Sequence, residues 1–418
     1  MSCFKLRRKK SILKSVHLNT PDPNLPIAKP LSVADSNKTF HHETTLDRTL
    51  PLKQDQLVLL AAKEEYQLFQ NVTIPSPIND SEAVVRIETL GLNPIDWKGP
   101  KYNFGLPSFP CVLGREYVGI VIQVPKKASK VQVGDVVLAI STDYRDYRKA
   151  AFQQFAIAPE ANLCRLPVSV SRDKAASIGV AFVTATLLLG VCLGLRFPGG
   201  PDMLKEVRAE PIERLPEDIR KECHGSLEDN EHLRTGDWLA VWGAGSAVGF
   251  LTIQLAKLAG VRTIAIADAV KRGGLLVASG TDALVHRQDT AEAQAIVRSV
   301  TQGRLLFGVD TVGKESAKLL QEVLTPQDTR RAHIVGLTGL PKDSPAGIVQ
   351  HKVPIKLFHE HARLGEKVMI WMEDLLRDGK LILPEVEIYA DRGLGAVNGA
   401  LNKLSSGKMQ SQRIVVNL

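Results

Sequence analysis

One segment limits what this chain can fold into more than any other. Trp238-Leu239-Ala240-Val241-Trp242 is a short continuous apolar run, the mark of a strand buried on both faces. It enters Gly243-Ala244-Gly245-Ser246-Ala247-Val248-Gly249, and residues 248–258 then carry the spacing of an amphipathic helix. Strand, glycine turn and helix in that order is the setting in which a dinucleotide's diphosphate is held. A side chain at Gly243 or Gly245 would obstruct the tight turn and the approach of a pyrophosphate. Gly249 would let the helix pack close to the strand. The helix start offers unpaired amides and the positive end of its dipole to an anion. The spacing is GxGxxxG rather than GxGxxG, so a purely structural glycine turn is the competing reading.

The flanking pattern supports a parallel sheet. Residues 263–267, 283–285, 305–310 and 333–337 read as further strands, and residues 275–279 as the beginning of another helix. Strand–helix alternation of this kind predicts a doubly wound α/β domain. Upstream, β-prone runs at 57–61, 83–90, 117–124, 136–140 and 155–157 alternate with turn residues such as Gly134-Asp135, which predicts a compact β-rich domain. The C-terminal part goes back to shorter elements of mixed type, with helix 366–376, strand 386–389, helix 395–404 and strand 413–417. Residues 198–235 hold Pro198, Pro201, Pro211 and Pro216 among many charges, and read as a surface insertion.

At the end of the second strand of the α/β domain stands Asp268, an acid that can bind a ribose 2′-hydroxyl and favour NAD. Lys271 and Arg272 follow at once, and Arg287 lies beyond the third strand. Three cations near one ribose suit a 2′-phosphate, which favours NADP(H). The competing reading of Lys271 and Arg272 is a solvated first helical turn.

Composition excludes several classes. Of 418 residues, 44% are hydrophobic and 23% charged, enough apolar material for two domains and not a low-complexity chain. The longest apolar run, 178–195, holds Thr184, Thr186 and three glycines, and reads as a buried helix rather than a membrane span. Much of the net charge of +8 sits in Lys5, Arg7, Arg8, Lys9, Lys10 and Lys14. Residues 1–50 are therefore read as a disordered basic extension, with a targeting presequence as the alternative, and not as nucleic-acid binding. Cys3, Cys111, Cys164, Cys192 and Cys223 are scattered, without a CxxC pair, which argues against a disulfide framework or a zinc lobe. A reducing, cytoplasmic compartment is the expectation. The ten histidines form no metal-like pair with supporting carboxylates apart from His359 and His361, read as surface residues around a helix start, and His224 reads as solvated.

Leu92-Asn93-Pro94-Ile95-Asp96-Trp97-Lys98, Gly114-Arg115-Glu116-Tyr117-Val118-Gly119, the glycine turn and the closing Ser406-Gly407-Lys408 with Arg413-Ile414-Val415-Val416 together resemble the medium-chain dehydrogenase/reductase superfamily. Roughly residues 52–418 share the resemblance. It is nearest to the zinc-independent quinone-oxidoreductase and enoyl-reductase branch, and within that to fungal polyketide-cluster trans-acting enoyl reductases and azaphilone-type dehydrogenases. It implies a GroES-like β-rich domain (51–180 and 350–418) and a Rossmann doubly wound parallel-sheet domain (181–349), with NADP(H) in the cleft between them. It implies as substrate a polyketide enone or enoyl thioester, free or carrier-tethered, with a polyketide synthase as candidate partner.

Carried over position by position, Ile95 to Lys98 and Thr184 would approach the nicotinamide end, and Ser246, Ala247, Val248 and Gly249 would hold the pyrophosphate. Ala269, Val270, Lys271 and Arg272 would contact the adenosine phosphate, with Arg287 against adenine or phosphate. Thr311, Val312, Arg413 and Ile414 would line the groove. The positions that hold zinc ligands in the metal-dependent relatives carry Asn93, Arg115 and about Val180, which cannot supply an anionic ligand set.

Metal-free reduction of an activated double bond requires a hydride facing the β-carbon, donors for the enolate oxygen and a proton for the α-carbon. Lys98 is the first candidate for enolate stabiliser or proton donor, or else it only contacts the coenzyme. Asp96 either orients Lys98 or caps local backbone. Asn93 either donates to the substrate carbonyl or fixes its loop. Tyr102 and Tyr117 are further candidate acids, and bulk water is another. A general quinone or alkenal reductase and a non-catalytic NADP-binding protein are the alternative functions.

Overall fold

The computed structural model describes residues 51–418 apart from 128, 142, 144 and 410. The expected basic extension lies outside the described residues. Six parallel strands form one sheet: Trp238–Trp242, Arg262–Ala267, Ala283–His286, Phe307–Asp310, Ala332–Gly336 and Ile348–His351. Numbered within this sheet, their spatial order is 3-2-1-4-5-6. The order reverses between the first and fourth strands, and in open α/β sheets a ligand crevice is expected at such a point, beyond the carboxyl ends of the strands.

The sixth strand, Ile-Val-Gln-His, has no counterpart in the sequence reading. The helix after the second strand runs Ala269–Ala278. It ends where the sequence suggested a start. The Asp268 side chain accepts from the Lys271 amide at 3.1 Å and sets the first turn. Gly273-Gly274 inside the helix hides its periodicity in the sequence.

The second body is mostly antiparallel, with one parallel pair, Val386–Ile388 beside the closing strand Arg413–Asn417. A seven-stranded sheet is built on Glu82–Gly91 and Glu116–Gln123, joined at its far side by the closing strand Arg413–Asn417, which pairs with Glu82–Gly91. A two-stranded sheet, Lys53–Val58 with Gln67–Thr73, packs beside it. Its core holds Leu57, Leu90, Tyr117, Phe152, Leu401 and Ile414. The mixed α/β architecture, one β-rich sheet domain and one parallel Rossmann-like domain, is the one expected.

The apolar run 178–195 is buried as expected, as helix Gly179–Leu187 followed by a π-turn, Leu188–Cys192. Segment 198–235 is not only a surface feature. Helices Met203–Arg208 and Glu217–His224 bury Met203, Leu204, Val207, Ile219 and Cys223 in the main core, with Leu215, Leu227 and Leu233. Apolar residues at i, i+4 spacing face inward while the charges stay outside. Each fully buried aliphatic side chain contributes roughly 1.5–3 kcal/mol. Among the described residues no helix is long and apolar enough to cross a membrane.

Candidate functional site

The glycine turn sits at the carboxyl end of the first strand, at this expected crevice. Gly243 has φ +83°, a conformation that a β-carbon disfavours. A β-carbon there would also lie 2.2 Å from Thr311 Oγ1 and 2.6 Å from Val312 Cγ2. Thr311 Oγ1 donates to the Gly243 carbonyl at 2.9 Å and accepts from Ser246 Oγ at 3.0 Å, so the residue after the fourth strand braces the turn. Ser246 caps helix Ala247–Leu258 by accepting from the Gly249 amide at 3.0 Å. A β-carbon on Gly249 would meet Gly243 O at 2.6 Å and Ala244 Cα at 2.8 Å, both backbone atoms. That is the close helix–strand contact read from the sequence. The amides of Ala247 and Val248, in the first turn, have no intrahelical acceptor. They suit a diphosphate.

The residues expected at the ribose end lie on and after the next strands. Asp268 is half committed as helix cap, as above. Arg272 reaches across and donates to Ser411 O at 2.6 Å, and burial pulls its pKa down. Lys271 and Arg287 are exposed, and neither side chain has a hydrogen-bond or ion-pair partner among the described residues. Ala269 is half-buried and Val270 exposed. The Ala269 amide donates to His286 Nδ1 at 3.2 Å. This puts a histidine at the adenosine end that sequence reasoning missed. Gln412 was also missed: its side-chain amide donates to Gly245 O at 3.1 Å. Only its place beside Arg413 could have pointed to it.

Residues 411–414 tie the turn to the other domain. The Leu92 amide donates to Ile414 O at 3.1 Å, and Arg413 Nη1 donates to Leu92 O at 3.4 Å. Leu92 leads into Asn93, the cap of helix Pro94–Tyr102. The Asn93 amide donates to Asp96 Oδ2 at 2.7 Å, and Asn93 Nδ2 donates to Glu116 Oε1 at 2.8 Å. Glu116 Oε2 accepts from the Val180 amide at 2.8 Å, at the start of the helix that carries Thr184. Asn93, Asp96, Glu116 and Arg413 are all buried. Of the two readings open for Asp96 and Asn93, the hydrogen bonds are those of cap and loop brace. Neither bond involves Lys98.

Electrostatics follow from that burial. Desolvation raises Asp96 to about 7, opposed by Arg115 and by the Asn93 amide. Desolvation also raises Glu116, with Arg413 opposing. Arg115 is pushed down to about 10 by burial, with Asp96 opposing. Lys98 is half-buried, with Nζ 5.7 Å from the Trp97 ring centroid; Lys101 Nζ lies 5.5 Å from the same ring. Ile95 is half-buried beside them. Thr184 is half-buried, and its hydroxyl donates to Val180 O at 2.7 Å. Tyr102 is exposed, whereas Tyr117 is buried in the β-rich core, where desolvation raises its pKa far above the ordinary phenol range. Tyr117 is a packing residue.

The donor set at the cleft does not suit zinc. Asn93 offers an amide already bound to Glu116, Val180 has no side-chain ligand atom, and Arg115 is a cation. The histidines depart from the expectation. His361 does cap a helix, accepting from the Leu364 amide at 3.1 Å, but His359 is largely buried, and His224 Nε2 is shielded from water without a partner. The close histidine pair is instead His333 with His351, both fully buried.

Comparison with known proteins accords with this geometry. Residues 79–168 match the alcohol dehydrogenase GroES-like domain. The dehydrogenase pigH of Monascus ruber is 25% identical over 82% of this chain and 93% of its own. The trans-enoyl reductase BOA5 of Botryotinia fuckeliana is 25% identical over 87% of this chain and 99% of its own. Among solved structures, a putative NADPH:quinone reductase from Bacillus thuringiensis superposes with a TM-score of 0.67 at 18% identity, over 88% of this chain and all of that one. The resemblance read from the sequence is borne out: the chain carries the GroES-like domain, has fungal trans-enoyl reductases among its relatives, and shares the two-domain fold of quinone and enoyl reductases. Those relatives and neighbours are oxidoreductases.

Proposed function

We propose that this chain is an NADPH-dependent oxidoreductase, with no zinc in its catalytic cleft, that reduces an activated carbon–carbon double bond, an enone or enoyl thioester. The substrate class is a polyketide, carried to the cleft as a small molecule or on a carrier protein, within a cytoplasmic biosynthetic route. One observation supports this reading above others. Leu92 and the helix cap Asn93, the closing residues 411–414 and the glycine turn are hydrogen-bonded into one assembly, so a coenzyme on the turn would lie beside the start of helix Pro94–Tyr102, which carries Lys98.

A bound coenzyme would supply a hydride. The chain's own residues would do the rest. The Ala247 and Val248 amides would hold the diphosphate, and Lys271 and Arg287 the 2′-phosphate. Glu116 fixes both Asn93 and the helix that carries Thr184, which would hold the nicotinamide end in register with helix Pro94–Tyr102. Lys98 offers an N–H to the carbonyl oxygen as charge develops on it, and a proton reaches the α-carbon from Lys98 or from water. Asp96 and Asn93 act as positioning residues through the loop's backbone.

The test is NADPH and NADH oxidation by the purified chain across enones, quinones and acyl thioesters. Turnover of unsaturated thioesters with NADPH supports the proposal. Turnover of quinones alone makes the chain a general quinone reductase. Tight NADPH binding without any turnover makes it a non-catalytic binding protein.

A further inference from the structure

A second cluster of reactive side chains lies away from the cleft, at the outer edge of the parallel sheet. Cys192 ends the π-turn, Glu222 lies on helix Glu217–His224 of the 198–235 insertion, and His351 ends the sixth strand. The Cys192 thiol, a Glu222 carboxylate oxygen and a ring nitrogen of His351 all lie within 4.8 Å of one another. Cys192 and His351 are fully buried. His351 Nδ1 stands 2.9 Å from Glu222 Oε2, and the Lys352 carbonyl is 3.9 Å from Cys192 Sγ. Thiol, imidazole, carboxylate and carbonyl from three distant stretches of chain form a mixed S, N, O donor set.

We propose that Cys192, Glu222 and His351 form a binding site for one divalent transition-metal ion of the zinc type, with the Lys352 carbonyl or a water as fourth ligand, that staples the insertion to the sheet edge. Charge supports it. Without the ion the site buries one carboxylate and a neutral thiol. Binding releases one proton, from Cys192, and two anionic ligands then neutralise a dication.

The histidine chain supplies an independent argument. His351 Nε2 lies 2.9 Å from His333 Nδ1, and His333 Nε2 lies 3.6 Å from Glu231 Oε2 without a hydrogen-bond partner. Glu231 is itself held by Arg331 at 2.5 Å. If a neutral His351 ring donates Nδ1–H to Glu222, its Nε2 accepts from His333. The bare His333 Nε2 then faces a carboxylate, acceptor against acceptor, in a buried place. An ion on His351 Nδ1 moves the His351 proton to Nε2, which donates to His333 Nδ1. The His333 proton moves to Nε2 and points at Glu231. The row then sets a donor rather than an acceptor against the Glu231 carboxylate at 3.6 Å, and the far nitrogen of a metal-bound histidine ordinarily donates in this way to a partner that fixes its ring. Zinc bond lengths of about 2.0–2.3 Å require the His351–Glu222 pair to open by roughly 0.5 Å.

The test uses the full chain, stripped with a chelator, dialysed and titrated with Co2+ and then Zn2+. The expected result is one equivalent bound per chain, with a near-ultraviolet thiolate-to-cobalt band and visible bands of a tetrahedral ion, displaced by Zn2+, and about one proton released per ion. Cys192→Ser should abolish the thiolate band, whereas Cys111→Ser, altering a buried cysteine of the other domain, should retain it. His333→Gln, which removes only the outer partner, should weaken Co2+ binding by about 10- to 100-fold. It keeps the proposal testable if Cys192→Ser does not fold. Absence of the thiolate band from the wild-type chain overturns the proposal. So does a band that persists unchanged in Cys192→Ser, or Co2+ affinity unaltered by His333→Gln. None of these readouts depends on coenzyme binding or turnover.

Discussion

Gly249→Ala adds one methyl group at the point where the helix and the glycine turn touch. The new β-carbon would lie 2.6 Å from Gly243 O and 2.8 Å from Ala244 Cα. Neither atom belongs to a side chain that can rotate away. Ordinary contact is about 3.4–4 Å, so the helix must withdraw by roughly 0.6–0.8 Å or the turn must distort. Overpacking of this kind costs about 1–3 kcal/mol. The same displacement moves the Ala247 and Val248 amides off the diphosphate. Loss of about 1.4–2.8 kcal/mol of binding is a 10- to 100-fold weaker Kd. Gly274→Ala is the matched control. Gly274 is exposed inside helix Ala269–Ala278, and a β-carbon there meets nothing within 4 Å. That change should stabilise by about 0.5–1 kcal/mol and leave the Kd alone. Urea unfolding and NADPH fluorescence titration read both quantities. If Gly249→Ala unfolds at the wild-type urea concentration and binds NADPH with wild-type affinity, the close-contact argument is wrong.

Lys98→Met should lower kcat by about 100-fold with the NADPH Kd within a factor of about three; a change confined to Kd would make Lys98 a coenzyme contact only. Lys271→Ala and Arg287→Ala should each weaken NADPH by about tenfold and leave NADH unchanged, measured by fluorescence titration; equal losses for both coenzymes would refute the 2′-phosphate assignment. Asp96 is raised to about 7 by burial, so its folded form keeps a proton that the unfolded chain releases near pH 4. Its stabilising contribution is therefore complete below about pH 4 and is lost as pH climbs through about 7. Asp96→Asn keeps an acceptor for the Asn93 amide but cannot ionise. Its urea-unfolding free energy should gain on wild type between pH 4.5 and 7.5, and parallel pH curves would refute the assignment.

The parts of the site legible in sequence are those where backbone geometry dictates residue type. Gly243 and Gly249 could be read because a positive φ and a backbone-to-backbone contact leave no room for another residue. Lys271 and Arg287 read as phosphate cations from their place near strand ends; in the structure both are exposed, without a side-chain partner among the described residues. What escaped depends on tertiary register. Gln412 reaches Gly245 only after the closing strand has returned to the β-rich sheet. His333 and His351 meet only because two parallel neighbours align them on one face, and Glu222 joins them from an insertion whose inward-facing Ile219 and Cys223 are hidden among charges. The strand Ile348–His351 is short and half polar, so neither alternation nor an apolar run announces it. Asp96 looked like chemistry in the sequence because a carboxylate two residues from a lysine suggests an orienting pair. Its hydrogen bond instead goes to the Asn93 amide, the geometry that Asx residues favour at helix starts.

The most direct test gives the purified chain NADPH carrying deuterium at the transferable nicotinamide position and an α,β-unsaturated acyl thioester, with mass spectrometry of the product. The account predicts one deuterium at the β-carbon and a solvent-derived hydrogen at the α-carbon, with the label lost when NADPH binding is broken by Gly249→Ala. A saturated product without deuterium at the β-carbon, or no product from a chain shown to bind NADPH, would contradict it.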